Sequence, residues 1–400
     1  MRRSDLHRAL DRATGSHRVT LVKGPPRVGR SDLLKRWAHG RDDTVNAPFP
    51  GEGDHPASVV IFDHLRREDV ATFVAHVRAV EAAGAATRFV VAPVDLGAAE
   101  DVLTALTGSV LTLEVAPLQI DEILAERATL SIAGGPEPGL VAEPVASNVP
   151  PFDAETLWLR GGLPESVGAD SDTASLTWRR EMIVGLLARD YTSWGVLKTA
   201  PLERILRWVA NRHGAELDEA GCPGVPKAEL KPVLFVFERL AIIRRLSNYP
   251  VGHSSSLGKS PKVYVRDTGI LHALLGIETV PQLRRSPSVG DSFEGYAIDS
   301  LIEAAGDAAQ AQFYRAKGAD AEEEIDLVLD FGPRIRRIVA IECKTNPNAP
   351  PRKGFYQARE KIAATDAFVV HSGPASVEDV PVERLDLLTA LGRISEIGRS

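Results

Sequence analysis

Two apolar runs, 325–329 with Asp326 as its one polar residue and 338–341, flank Phe331-Gly332-Pro333-Arg334. Two such runs around a Gly-Pro step, read with the strand period of two, predict a β-hairpin. In such a hairpin Asp326 lies opposite Glu342, while Glu342 and Lys344, two positions apart, point to one face. Apolar runs at 19–22, 58–63 and 88–91 predict further strands, and 4–14 and 32–38 predict helices. Residues 181–194, 202–213 and 227–239 carry apolar positions at helical spacing and precede a short strand at 242–246. After these come a strand at 262–266, a helix at 269–275 that Asp267 or Thr268 can cap, and an amphipathic helix at 293–304. A last strand is expected within 363–371 and a C-terminal helix at 384–391. Residues 132–153 are rich in Pro, Gly and small side chains and read as a linker.

Composition narrows the class. The 400 residues suffice for two or three domains, and 44% hydrophobic with 25% charged residues is the balance of an ordinary globular chain. A net charge of −7 gives no global attraction to nucleic acid, so any such contact must come from a local basic patch. Cys222 and Cys343 form no CxxC pair and no disulfide framework, which suits a reducing compartment. The first fifteen residues are broken by Asp5, His7, Arg8 and Asp11, with no apolar core for a signal peptide, and no run approaches a membrane span. A cytoplasmic protein with no membrane association is expected.

Chemistry enters at the hairpin. Asp326, Glu342 and Lys344 converge as two carboxylates and one ammonium, the minimum that holds a hard divalent cation and polarises a phosphodiester beside it. The hairpin resembles the core of the PD-(D/E)xK nuclease superfamily, in which an Asp precedes a Glu-x-Lys strand. The segments GKSPKVYVRDTGILHALLG (258–276), GDSFEGYAIDSLI (290–302), FYRAKG (313–318), EID (324–326) and IECK (341–344) together resemble the conserved bacterial domain of unknown function fused behind AAA-type P-loop domains. The resemblance implies catalytic roles for Asp326, Glu342 and Lys344. It implies Mg²⁺ or Mn²⁺ held by Asp326, Glu342 and Glu294, with the Cys343 carbonyl as a further ligand. Glu324 shares the face of Asp326 and either ligates metal or is solvated. Arg315, Lys317, Arg336 and Arg337 could supply charge to a nucleic acid backbone. The competing reading is an ion-paired hairpin with no catalysis, and His253 and His371 read as ordinary structural or surface residues.

The N-terminal part carries a strand, a Gly-rich loop and a helix in the order a P-loop requires. Gly24, Gly29, Arg30 and Ser31 fill G-x-x-x-x-G-[basic]-S, and Asp63 ends an apolar strand where a magnesium-binding aspartate belongs. Arg30 stands where a Lys reaches the β/γ-phosphates, and its planar fork cannot reproduce a compact ammonium. The AAA-type family places a Glu after the aspartate, where this chain has His64, and an arginine where it has Ser109. These departures predict impaired hydrolysis. ATP binding through Gly24, Gly29, Arg30, Ser31 and Asp63 stays open, as does a purely structural domain.

The expected fold is thus α/β and multidomain. Residues 1–130 form a degenerate AAA-type P-loop domain, 131–156 a linker, 157–257 a winged-helix-like helical domain, and 258–400 a nuclease-like α/β domain. A winged helix can place a helix in a DNA major groove, but residues 233–237 are too apolar for a groove-facing surface and Pro232 restricts the first turns. Arg244 and Arg245 are the candidate phosphate contacts there. Two functions remain: a metal-dependent nuclease of DNA or RNA gated by nucleotide, or a non-catalytic scaffold that binds DNA or a protein partner. Oligomerisation is open, since Ser109 removes one device by which AAA-type rings assemble.

Overall fold

The computed structural model describes residues 3–47, 58–124, 154–217, 221–251, 260–317, 322–373 and 382–400. The expected linker at 132–153 and His253 lie outside the described residues. The chain divides into two compact units, Met1–Leu118 and Gln119–Ser400.

The first unit is an α/β domain with a parallel sheet. Its elements are α1 (Arg3–Ser16), β1 (Val19–Lys23), α2 (Arg30–Ala38), β2 (Thr44–Asn46), β3 (Val59–Leu65), α3 (Val70–Ala82), β4 (Arg88–Pro93), α4 (Leu96–Ala105) and β5 (Val110–Glu114). The strand order is β2-β3-β4-β1-β5, every pair parallel. Val59, Val60, Ile61 and Phe62 are consecutive and all buried, as are Phe89, Val90 and Val91. Unbroken apolar runs of this kind suit strands covered on both faces. Phe62, Phe73 and Phe89 pack with ring centroids 5.5–6.2 Å apart at the centre of the core.

The second unit begins with helices α5 (Ala154–Arg160), α6 (Pro164–Val167), α7 (Asp172–Leu187), α8 (Leu202–Ala210) and α9 (Lys227–Arg239). A two-stranded antiparallel hairpin follows, β6 (Ile243–Leu246) with β7 (Lys262–Val265). The division drawn at 257/258 from sequence runs between these two strands. Next come α10 (Thr268–Leu275), α11 (Val280–Arg285), α12 (Val289–Ala305), β8 (Gln310–Lys317), β9 (Glu322–Asp330), α13 (Gly332–Ile335), β10 (Ile338–Lys344), α14 (Lys353–Lys361), β11 (Asp366–His371), β12 (Glu383–Asp386) and α15 (Leu387–Arg399). The sheet order is β12-β11-β10-β9-β8. Strands β8, β9 and β10 are antiparallel, and β11 and β12 continue parallel to β10.

The hairpin register runs Ile341 to Leu327 and Ile338 to Asp330, which brings Glu342 level with Asp326. Its connection is not a tight Gly-Pro turn but the short helix α13, closed by a left-handed Arg336. Pro333 sits in the first turn of α13, where a missing N–H costs nothing. A second departure lies on the other side of β9. Gln312 pairs with Val328 and Tyr314 with Ile325, so Phe313 alone faces both Asp326 and Leu327. That extra residue is a β-bulge, which twists a strand locally and re-aims its side chains.

Buried polar contacts fix where α12 begins. Trp158 donates to Ser292 Oγ (2.9 Å), which lies 2.7 Å from His272 Nε2, and His272 Nδ1 donates to the Leu159 carbonyl (2.9 Å). One orientation satisfies all three bonds, with a neutral imidazole that accepts from Ser292. Asp267 caps α10 through Ile270 N–H and also accepts from Gly162 N–H. Arg179, fully buried, donates to the carbonyls of Leu159 and Gly269. At Gly295 a Cβ would lie 2.1 Å from His213 Nε2, so only glycine lets α12 approach that close.

Candidate functional site

The residues read as a P-loop connect β1 to α2 in the first unit. A Cβ on Gly24 would lie 2.5 Å from the Val115 carbonyl, so the loop passes close against the end of β5. Gly29 has φ +85°, the left-handed conformation that glycine adopts without strain, and it opens α2 with no side-chain cap. Ser31 lies in the first turn of α2. Asp63 and His64 lie near the end of β3, where His64 has φ +65° and its Nδ1 is 3.3 Å from Asp63 Oδ2. Arg30 does not simply mimic a lysine. Its Nη1 donates to the Pro93 carbonyl at the end of β4 (2.8 Å). The close approach at Gly24, the left-handed Gly29 and the start of α2 without a side-chain cap thus stand together in this loop. The side chain at the lysine position is anchored to the sheet.

The second candidate site is a cavity of about 350 Å³ lined by residues of β7, α12, β9, β10 and the start of α14. Asp326, Glu342, Lys344 and Glu294 all reach it, as the sequence predicts, together with Glu324 and Arg315. Asp326 is buried, and its Oδ2 accepts from the Cys343 N–H at 2.9 Å. Glu342 is 3% exposed and its Oε1 is ion-paired to the Lys344 ammonium. Glu294 Oε1 accepts from the Tyr264 hydroxyl at 2.7 Å.

The residue that sequence reasoning missed is Lys262, at the start of β7. It is 2% exposed, with Nζ 3.1 Å from Glu294 Oε1, 2.9 Å from Glu324 Oε1 and 3.7 Å from Asp326 Oδ1. Burial opposes its charge, but Glu294, Asp326 and Glu324 outweigh that and raise its pKa, so it is an ammonium. The available signal was a lone Lys opening an apolar strand, KVYV, in a segment already singled out. Nothing in its spacing points to partners 32 residues further on.

The electrostatics follow from crowding. Burial, then the charge of Asp326, push Glu342 up to about 8 against the pull of Lys344. The same two causes push Glu294 up to about 7 against Lys262. Glu324 is also opposed by burial, yet Lys262 and Arg315 hold it below its ordinary value. Arg315 Nη2 is 2.6 Å from Glu324 Oε1 and its Nη1 is 3.1 Å from Glu216.

These partners decide how well a divalent cation fits. Each of Asp326, Glu342, Glu294 and Glu324 already faces a protein donor or cation. Among the described residues no group of three or more His, Cys, Asp or Glu side chains is arranged to hold a metal ion. The expected ligand set of Asp326, Glu342 and Glu294 is brought to one cavity but not into a coordination sphere. The expected phosphate contacts fare similarly. Arg244 pairs with Asp299 and Glu303, Arg245 with Glu238, and Arg337 with Asp366. The region read as winged-helix-like, 157–257, holds most of α5, then α6 to α9 and β6, while β7, the partner of β6, falls beyond it. Phe235 is 45% exposed on α9, whereas Val233, Leu234, Val236 and Phe237 are buried.

Comparison with known proteins finds two domain matches and two partial relatives. Residues 152–280 match the profile described as "Domain of unknown function (DUF8612)", and residues 289–385 match "Domain of unknown function (DUF4143)". Uncharacterized proteins of Mycobacterium bovis and Mycobacterium tuberculosis are each 35% identical over 217 residues, covering 52% of this chain and 47% of theirs. The chain thus spans about half the length of the curated relatives it matches. Among solved structures, a Walker-type ATPase of Pyrococcus abyssi is similar with TM-score 0.46 and 14% identity, over 68% of this chain and 95% of that one. A likeness that loose carries no argument about mechanism. Among the described residues no helix is long and apolar enough to cross a membrane.

Proposed function

We propose that the chain is a nucleotide-binding protein of AAA-type P-loop descent, with hydrolysis impaired, whose C-terminal nuclease-like domain binds rather than cuts. The observation that carries the reading is the bond from Arg30 to the Pro93 carbonyl, made while the glycine-shaped loop and the uncapped start of α2 persist. Backbone amides at a helix N-terminus bind phosphate whichever side chain follows. ATP would lie along residues 24–31, and Ser31 with Asp63 would hold its magnesium, which neutralises phosphate charge. His64 in place of a carboxylate removes the base that would activate water. In the second unit, ion pairs on Arg244, Arg245, Arg315 and Arg337 leave a nucleic acid backbone to compete for them. That favours a protein partner over DNA or RNA for the winged-helix-like and nuclease-like regions.

The test is binding of a fluorescent ATP analogue with magnesium, measured beside phosphate release. We expect binding that weakens about tenfold or more in Asp63→Ala. Release should be the same in both proteins. Absence of binding, or release abolished by Asp63→Ala, would overturn the reading.

A further inference from the structure

The cavity of the second unit holds its cation as part of the chain. Lys262 Nζ contacts Glu294 on α12 and Glu324 on β9, with Asp326 beside them at 3.7 Å. The ammonium cannot drift far. Lys262 pairs with Leu246 across the β6–β7 hairpin, bridges Glu216, and sets its Nζ 5.7 Å from the Phe313 ring centroid. Phe313 is the residue that faces the bulge carrying Asp326. The bulge and the lysine thus belong to one arrangement.

A divalent cation would need these same carboxylate oxygens at about 2.0–2.6 Å. It would then lie within a few ångströms of a buried ammonium, and two cations that close in a weakly screened interior repel strongly. We infer that Lys262 is a built-in cation that takes the place of a divalent metal in this cavity, so that the native chain binds neither Mg²⁺ nor Mn²⁺ there. This rests on the reading of the domain as non-cleaving, and it names the group responsible. It makes Lys262 a positioning residue, since it holds Glu294, Glu324 and Asp326 at the spacing the cavity shows. It also makes metal binding a property that one substitution releases.

The experiment is Mn²⁺ binding followed by electron paramagnetic resonance on the full chain, comparing native protein, Lys262→Met, and Lys262→Met with Asp326→Asn. Methionine keeps the stem and removes the charge. Native protein should hold no Mn²⁺ that depends on Asp326. Lys262→Met should bind one Mn²⁺ about tenfold tighter or better, and the double variant should lose it. Asp326-dependent Mn²⁺ binding by the native chain overturns the inference, as does a folded Lys262→Met that binds none. Should circular dichroism show Lys262→Met unfolded, native protein labelled with ¹⁵N-lysine decides. Its solvent-protected ammonium resonance should stay sharp in millimolar Mn²⁺, and broadening overturns the inference. Cutting of DNA or RNA in the presence of a chelator would sink the non-cleaving reading while leaving Lys262 in its role. Asp326-dependent metal binding without cutting would do the reverse.

Discussion

In the N-terminal unit the candidate site is made of backbone, whereas in the C-terminal unit it is made of side chains. The P-loop depends on where the chain can turn: Gly24 against the Val115 carbonyl, Gly29 left-handed at the start of α2. Its side chains have changed, with Arg30 tied to Pro93 and His64 beside Asp63, and the loop still forms. In the cavity of the second unit each of the four carboxylates has a named partner, and the partners come from β7, β8 and β10. A backbone site tolerates exchange of its side chains. A side-chain site is one network, in which removing a member leaves the others buried and uncompensated.

The largest effect expected is where the second site meets its packing. A Cβ on Gly354 would lie 2.0 Å from the Glu322 carbonyl, so Gly354→Ala must push α14 off β9. A loss of about 3 kcal/mol or more is expected, because backbone cannot yield as a flexible side chain does. Hydrogen exchange resolved by peptide should report it in α14, β8 and β9 and leave the first unit unchanged. Gly24→Ala is the counterpart, with protection lost around β1 and β5 alone. If either substitution destabilised both units equally, the division into separately built sites would fail.

Next in size is the ion network beneath the cavity. Arg266 is 8% exposed; its Nε is 3.0 Å from Asp299 Oδ1 and its Nη2 is 2.7 Å from Glu303 Oε1, and Arg244 joins both acids. Arg266→Met should cost about 3 kcal/mol in denaturant unfolding of the second unit, because it takes one of their cations from two buried carboxylates. Replacing Arg18, a half-buried residue of the first unit, should cost less, since it donates to the Ala85 and Thr87 carbonyls and its acidic partner Glu81 is 37% exposed at 3.8 Å, so no buried carboxylate loses a cation.

How much of this was legible in the sequence follows the same division. The tight connection between β1 and α2 could be read because glycines at fixed spacing report directly on backbone shape, and β1, β3 and β4 appear where unbroken apolar runs place them. The hairpin register could be read too, since folding the two apolar runs about the Gly-Pro step sets Asp326 opposite Glu342. What could not be read depends on distant partners. The bulge at Asp326 and Leu327 is set by β8, and its alternation looks regular from within β9. Lys262 meets its carboxylates only after β7 and α12 fold together. The ion pairs that engage Arg244 and Arg245 come from Asp299 and Glu303 on α12, and from Glu238 on α9. Spacing within a segment says nothing of such cross-element contacts. The short helix α13 replaced an expected tight turn for a local reason: Pro333 after Gly332 suits a helix start as well as a turn.

A smaller effect should appear with pH. His272 is buried as a neutral ring and burial pulls it down to about 4, against about 6.5 in an unfolded chain. Between those values the unfolded chain holds more protons, so the stability His272 contributes is full above about 6.5 and lost as pH falls toward 4. The gap corresponds to about 3 kcal/mol at its acid end. Glu294 and Glu342 oppose it, being raised to about 7 and about 8, and they weaken the fold as pH rises instead. The measurement is therefore a difference: unfolding midpoints of native protein and His272→Gln from pH 7 to pH 4. The native chain should lose ground to the variant as pH falls, and parallel curves would show that His272 is already charged in the fold.

The smallest effect is expected at Arg30. Arg30→Lys removes one hydrogen bond to the Pro93 carbonyl, which is worth about 1 kcal/mol, and restores a compact ammonium at the lysine position. If the loop is made of backbone, neither change matters much. Unfolding of the first unit should shift by no more than about 1 kcal/mol. Binding of the fluorescent ATP analogue should tighten by less than about tenfold, because amides at a helix N-terminus carry the phosphate contacts. Hydrolysis should not return, since His64 still stands where a carboxylate would activate water. A gain of a hundredfold in affinity would show that the side chain, not the backbone, governs this site, and the contrast between the two units would then disappear. A gain of a few-fold, set beside the release of a metal site by Lys262→Met, would fix the contrast quantitatively: the same kind of single-cation exchange, trivial where the backbone binds and decisive where side chains do.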